Sequence, residues 1–523
     1  MNRRLIVGVL LTACVAIPVG LLSRAMLAVA QEPAKSQAAP HGDSPSIEPV
    51  PKTPEEAAAA KREEQEFFEM YKALADTVDQ VDRNYVKKVD RRELMEAAIK
   101  GVLSKLDPYS SYIGPEDAGH FRDTVENQFG GIGIQITSDD GQIKVLSPLV
   151  GSPAYKAGLQ AGDRILKIGD QSAAGMVLDD AVHKLKGDVG TSVSLTVAHA
   201  GDVGGKQETV TVSRELIHVD TVLGDHRKSD DNWDFMLDAD KRIGYIRITT
   251  FSRDTAQDLK KALVDLKAGK LRGLILDLRF NPGGLLTAAV ETCDMFLNEG
   301  RIVSTEGRNS PKRVWDATKK TDAFTGFPMV VLVNHYSASA SEIVSACLQD
   351  HQRAIVIGDR SWGKGSVQNV IELEDGKSLL KLTTASYKRP NGHNIHRFPD
   401  SKDSDEWGVM PNPGYDLKLS DSEMAELLAD HRDLDILQVH KKMPSPVADA
   451  GKPDSTKPHA NKSNSDKSET AKPGSSSQSN AAKPNDAEKP AEKPAEKAAG
   501  PHFVDRQLQK AIDYLTAELT KAS

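Results

Sequence analysis

Residues 329–350, MVVLVNHYSASASEIVSACLQD, pass from a β-branched apolar run through three serines spaced by alanines into a helical pattern that begins at Ser341 and Glu342. A short apolar run closed by small residues reads as a buried strand, and the periodic stretch after it, to Gln349, reads as a helix. The same alternation continues on both sides. Upstream lie IGYIRI from Ile243, a helix over 254–267, GLILDLR from Gly273 and a helix over 285–297; downstream lies AIVIG from Ala354. Strands alternating with helices imply an α/β sheet with helices on its faces.

Around this core, assigned to 217–440, the pattern changes. Residues 128–216 carry short strands (GIGIQIT, QIKVLS, RILKIG, SVSLTVA, ETVTVSR) and two short helical pieces, SPAYKAG and LDDAVHKLK, which together make a small β-rich module. Residues 54–127 form a helical N-terminal region leading into the core, with Phe68, Tyr71, Leu74, Val78 and Val81 at helical spacing and a second helix over 94–106. Residues 31–53, rich in Pro, Ser and Ala, read as a tether. Residues 441–502, including EKPAEKPAEKAAG, hold too little apolar surface to offset chain entropy and read as a disordered linker. Beyond them, 503–520 recovers helical spacing at Val504, Leu508, Ile512, Leu515 and Leu519, so a terminal helix either docks on the core or binds a partner.

The 523 residues, 39% of them hydrophobic, suffice for two or three domains with real cores. A net charge of -8 argues against nucleic acid as a partner, because that affinity rests on clustered Lys and Arg. MNRR followed by the apolar 5–22 and by Ala28, Val29 and Ala30 has the layout of a secretory leader over 1–30, cleaved or retained as a membrane anchor. Either way the working domains are expected outside the cytoplasm. Leu11 to Cys14 resembles a lipoprotein box, but the apolar Val15, Ala16 and Ile17 make that a chance match. Cys293 and Cys347 sit in apolar helical stretches and read as buried free thiols.

Three turns carry the candidate chemistry. In 337–341, SASAS, small residues at a strand-to-helix turn let a serine hydroxyl stand beside free backbone N–H groups; the plainer reading is Ser341 as a helix N-cap. In 358–366, GDRSWGKGS, the sequence fits a phosphate loop until Gly365, which offers no hydroxyl for magnesium. The VQNVIELEDG after it alternates like a strand, where a phosphate loop must open a helix. In 276–290, LDLRFNPGGLLTAAV, a glycine pair after a buried strand is either an ordinary turn or a backbone donor brought close to a reacting carbonyl.

SASASEI, GKGSVQ and DLRFNPGG, with LDPYSSYIGPE and FGGIGI upstream, resemble the carboxyl-terminal processing peptidases, or tail-specific proteases, from about Phe67 to Pro411. The resemblance implies an α/β protease core of mixed sheet and flanking helices, an inserted PDZ domain, and a Ser-Lys dyad without metal or cofactor. It implies Ser339 as nucleophile, Lys364 as base, Gln368 as a neutral orienter of the amine, and the N–H groups of Ala340 and Gly283 as oxyanion donors. A lysine serves as base only when neutral, which from its ordinary value of about 10.4 requires roughly 4 kcal/mol against the charged form at pH 7; deep burial supplies that much. Trp362 and Val367 are expected to wall it in. In PDZ domains backbone N–H groups cradle a chain terminus and a strand edge pairs with the peptide. This implies that Gly131, Ile132, Gly133 and Ile134 form the carboxylate loop, with Ala181 and Leu185 of a helix over 178–185 turned inward. The expected partners are proteins with unstructured C-terminal tails and, for the oligomeric state, a second copy of the chain. The rival readings are a PDZ scaffold with a silent protease domain and a nucleotide-binding protein.

Overall fold

The computed structural model describes residues 53–126, 128–199, 207–319, 323–437 and 503–521. The expected leader, most of the tether and the 441–502 linker lie outside the described residues. Among those described, no helix is long and apolar enough to cross a membrane.

Strands Ile243–Ile248, Gly273–Asp277, Met329–Val333 and Ile355–Gly358 form a parallel ladder in that order, edged by antiparallel Val222–Leu223 and Met236–Asp238. The first three are buried at every position, which is why they read as unbroken apolar runs: a parallel sheet is covered on both faces. One set of alternating residues, among them Ile246, Leu276 and Val331, packs under helices Thr255–Ala268, Leu286–Phe296 and Ala340–Asp350. The other set, Ile243, Tyr245, Ile275, Val330, Leu332 and Ile357, is covered by Ala511, Leu515 and Leu519 of the terminal helix Arg506–Lys521. The helix therefore docks on the core, and its buried leucines each contribute about 2 kcal/mol.

A second, antiparallel sheet joins Ser111–Ile113, Ser378–Lys388, Arg301–Gly307 and Ser310–Asp316, with Ser366–Leu373 paired to Ser378–Lys388. The residues after Lys364 thus enter a strand, as their alternation suggests. The N-terminal region is helical over Pro54–Asn84, Arg91–Leu103 and Pro115–Glu126. Its second helix begins at Arg91, ahead of the Leu94 that the apolar spacing implies, because Asp90 caps it by accepting the Arg92 N–H at 2.6 Å.

The inserted module has its own core, including Ile143, Val145, Ile165, Leu195 and Val197. Its sheet runs Ile134–Asp139, Gln142–Pro148, Arg164–Ile168, Ser192–Ala198, Gln207–Ser213, leaving Ile134–Asp139 as an edge. The helix falls at Leu178–Leu185 with Ala181 and Leu185 buried, as the PDZ resemblance implies. The module is framed by a two-stranded ladder of Gln128–Gly131 and Glu215–His218.

Candidate active site

The strand Met329–Val333 ends at a turn wired to the strand beside it. Asn334 Oδ1 accepts the Phe280 N–H at 3.0 Å, Ser337 Oγ donates to Leu278 O at 2.8 Å, and Asn281 O accepts both the Ala338 N–H at 3.1 Å and Ser341 Oγ at 3.0 Å. Ser341 therefore fastens the two turns together, and Ser339 occupies the N-cap position of the following helix. Ser339 has φ +55°, a left-handed conformation outside the ordinary range for a serine, as does Phe280 at +61°. Each such residue stores about 1–3 kcal/mol and survives only where its surroundings hold it.

The strongest hold is Glu342, a carboxylate with no solvent exposure. Its Oε2 accepts the backbone N–H of Ser339 at 2.7 Å and of Lys364 at 2.8 Å; its Oε1 accepts the Gly363 N–H and the Ser361 hydroxyl, both at 2.6 Å. One buried side chain thus fixes the serine turn against the lysine turn. Burial pushes the Glu342 carboxyl above its ordinary range against these four hydrogen bonds. The lysine turn needs its glycines: a Cβ on Gly365 would lie 2.3 Å from His396 N, and one on Gly363, at φ +87°, 2.7 Å from Arg397 Cβ. The polar stretch from His396 therefore roofs this turn.

Lys364 is 2% exposed, and its amine is brought down to about 7, first by burial and then by the charge of a second buried lysine, Lys381; Glu342 and Asp107 oppose the shift. Lys381 is itself lowered to about 8 by burial, against the pull of Asp107. The wall over Lys364 comes from a distant segment: Nζ lies 5.1 Å from the Tyr109 ring centre, and Trp362 Nε1 donates to the Tyr109 hydroxyl at 3.4 Å. Val367 is buried, but Trp362 remains 41% exposed and reaches the lysine through Tyr109. Asp107 fixes that loop by accepting the N–H groups of Tyr109 and Ser110 and the hydroxyls of Ser110 and Thr383.

Buried polar atoms almost always find a partner. Yet among the described residues Lys364 Nζ and Gln368 Oε1 are buried without a hydrogen-bond partner, and Ser339 Oγ has none of ordinary geometry, only the Tyr387 phenol beside it. What joins the serine turn to the lysine turn is the shared Glu342 Oε2, which accepts both backbone N–H groups. Gln368 does not reach the amine here; its Nε2 donates to Ser366 Oγ at 2.9 Å and Thr383 Oγ1 at 3.2 Å. Burial raises the Tyr387 phenol above its ordinary range, and its hydrogen-bonding interaction with the Ser339 hydroxyl opposes that shift. His335 lies 3.5 Å from Asp359.

The expected oxyanion donors divide. The Ala340 N–H has no partner among the described residues. The Gly283 N–H, however, is taken by Asn281 Oδ1 at 2.8 Å, because the side chain of Asn281 closes its own turn. Gly283 still lies against the serine: at φ +105°, a Cβ there would meet Ala338 O at 2.7 Å, Ser339 Cβ at 2.8 Å and Ala340 N at 2.9 Å. In the inserted module Gly131, Ile132 and Gly133 are buried and Ile134 half-buried at the free sheet edge. The carbonyls of Ile132 and Gly133 are engaged by Ala154, Leu149 and Ser152, while their N–H groups have no partner among the described residues.

Sequence reasoning passed over Glu342, Asp107, Tyr109, Lys381 and Tyr387. Glu342 stands within the SASASE run and Asp107 and Tyr109 within LDPYSSYIGPE, so their positions were marked though their work was not.

A peptidase family S41 profile matches residues 242–403, a PDZ-domain profile 144–199, and a profile described as the activating protease CtpB N-terminal domain 40–117. A carboxy-terminal-processing protease of Bartonella bacilliformis is 39% identical over 367 residues, covering 69% of this chain and 81% of its own length. The carboxy-terminal processing protease CtpB of Bacillus subtilis is 36% identical over 360 residues, covering 68% and 70%. A solved photosystem II D1 C-terminal processing protease has 29% identity, covers 66% of this chain and 92% of its own, and superposes with a TM-score of 0.37.

Proposed function

The chain belongs to the carboxy-terminal processing proteases of peptidase family S41, with a PDZ domain, and from that premise we propose that it cleaves tail-bearing proteins through an acyl-enzyme formed on Ser339. The observation that carries this is the pair of buried, unpartnered reacting atoms, Ser339 Oγ and Lys364 Nζ, whose backbones share one carboxylate oxygen. Neutral Lys364 takes the Ser339 proton as Oγ attacks the scissile carbonyl carbon. The resulting ammonium returns the proton to the leaving amine, and water then hydrolyses the ester with the same lysine as base. The developing oxyanion faces the free Ala340 N–H; the Gly283 N–H joins it once Asn281 releases that donor, a tightening common between free and substrate-bound sites. Gln368 orients the amine only once its unpartnered Oε1 turns toward it, and it does so without adding a charge that would hold the amine protonated.

The PDZ edge strand Ile134–Asp139 and the free N–H groups of Ile132 and Gly133 suit capture of a C-terminal tail by strand addition. The domains work outside the cytoplasm, with 5–22 as leader or anchor, and mass spectrometry of the mature N-terminus decides between the two. A silent scaffold would gain nothing from a dry, unpaired amine, and a nucleotide site lacks the helix that should come after the GKG turn. The test is turnover of an unstructured tail-bearing substrate by purified protein, with product mapping. Ser339→Ala and Lys364→Ala should each abolish cleavage while the fold persists; turnover retained by Ser339→Ala defeats the assignment.

A further inference from the structure

We propose that the terminal helix is a positioning element of the active site, acting through Arg279 on the turn that faces Ser339; the inference rests on the assignment of Ser339 as nucleophile. Arg279 leaves the end of strand Gly273–Asp277 and is 2% exposed. One side of its guanidinium is held by Asp277, through Nε at 3.0 Å and Nη2 at 2.6 Å. The other side is held from a segment 226 residues away: Nη1 donates to Asp505 Oδ1 at 3.0 Å, Nη2 lies 2.7 Å from Asp505 Oδ2, and Nη1 donates to Gln507 Oε1 at 3.1 Å. These partners are themselves fixed. Asp505 Oδ1 accepts the N–H groups of Gln507 and Leu508 at the start of the helix, and Gln507 Nε2 donates to Leu417 O at 2.7 Å.

The two residues after Arg279 link this anchor to the serine. Phe280 is left-handed, and Asn281, next along, accepts Ala338 and Ser341 on its carbonyl and Gly283 on its side chain. A bulky residue stays in that conformation only while both flanks are pinned. Downstream the pins are the bonds to the serine turn. Upstream the pin is Arg279, and half of the charge that fixes it is delivered by Asp505. The path from Asp505 through Arg279, Phe280 and Asn281 to Ala338 and Ser341 is continuous, with Asp505 and Phe280 half-buried and the rest buried, and none of its side chains hydrogen-bonds Ser339 Oγ or Lys364 Nζ.

The experiment compares full-length Asp505→Asn and Leu515→Ala with the wild type, measuring kcat and KM on a tail-bearing substrate, Ser339 labelling by a fluorophosphonate probe, and Tm. Asp505→Asn is expected to lower kcat and the labelling rate about tenfold to a hundredfold, the penalty of a displacement on the order of 1 Å at a reacting centre, with KM unchanged. Asp505→Glu, which restores the carboxylate, recovers part of the loss. Leu515→Ala, which thins the packing on the sheet but leaves the ionic link, lowers Tm and spares kcat. If Asp505→Asn fails to fold, Gln507→Leu removes the weaker bond to the same guanidinium, and a fall in its kcat at unchanged KM supports the inference as well. An unchanged kcat in the folded variant overturns it, as does a loss of kcat that tracks Tm equally in the Leu515 variant. A wild type inert to both substrate and probe overturns the reading of Ser339, and the inference with it.

Discussion

Replacing Lys364 with methionine should make the protein inactive and, below neutral pH, more stable. The amine falls from 10.5 to about 7 on folding, chiefly through burial. Its folded value lies below its unfolded value, so protons favour the unfolded chain. The destabilisation is complete below about pH 7 and fades as pH rises toward 10.5. At about 1.4 kcal/mol for each pK, the difference amounts to about 4 to 5 kcal/mol. Methionine has similar length, fits an apolar wall, and abandons no hydrogen bond, because Nζ makes none. Denaturant unfolding at about pH 6, 8 and 10 reads the effect: the variant should lead by about 4 kcal/mol at the lowest pH, and the two curves should converge toward the highest. A constant gap across pH, or a variant weaker than wild type at pH 6, would show that the lysine is not held neutral by its surroundings, and the catalytic reading would lose its base.

Glu342→Gln turns one acceptor oxygen into a donor, leaving at least one of the buried N–H groups of Ser339, Gly363 or Lys364 unpaired, a loss of about 1–3 kcal/mol in stability. Because the Glu342 charge favours the Lys364 ammonium, the acid limb of kcat/KM against pH should also move to lower pH. Lys381→Met removes a like charge and should move that limb the other way, to higher pH; pH-rate profiles of the two variants shifting in the same direction would refute whichever assignment predicted the opposite sign. Gly283→Ala, whose methyl would overlap Ala338 O and Ser339 Cβ in a left-handed turn, should lower kcat by about a hundredfold or more while leaving tail-peptide binding to the PDZ domain unchanged in a titration.

The alternation of apolar runs and helical periods fixed the central sheet because parallel strands buried on both faces admit little else at IGYIRI, GLILD and MVVLV. The PDZ helix was legible as a short helical piece, while the inward turn of Ala181 and Leu185 came from the resemblance to PDZ domains. The serine and lysine turns stood out as small-residue interruptions, but what joins them did not. An acid three residues after a cap reads as a routine capping box, and nothing local announces that Glu342 also accepts two N–H groups and a hydroxyl from the lysine turn. Tyr109 and Asp107 reach the lysine across more than 250 residues, a separation at which periodicity is silent. That the Gly283 donor is already engaged was not legible for a simpler reason: Asn281 satisfies it from within the same turn. The terminal helix was visible as a helix, yet its docking face was ambiguous until the sheet offered a row of apolar positions to match.

That docking has a bearing on biogenesis. A nascent chain that has already spelled out every strand of the central sheet still presents Ile243, Tyr245, Ile275, Val330, Leu332 and Ile357 to water, since the segment that covers them is translated well after them. The enzyme's interior is therefore sealed only once residues 506–521 have left the ribosome, and a chain cut short anywhere in 441–502 would emerge as a sticky, half-clad intermediate rather than a loose protease.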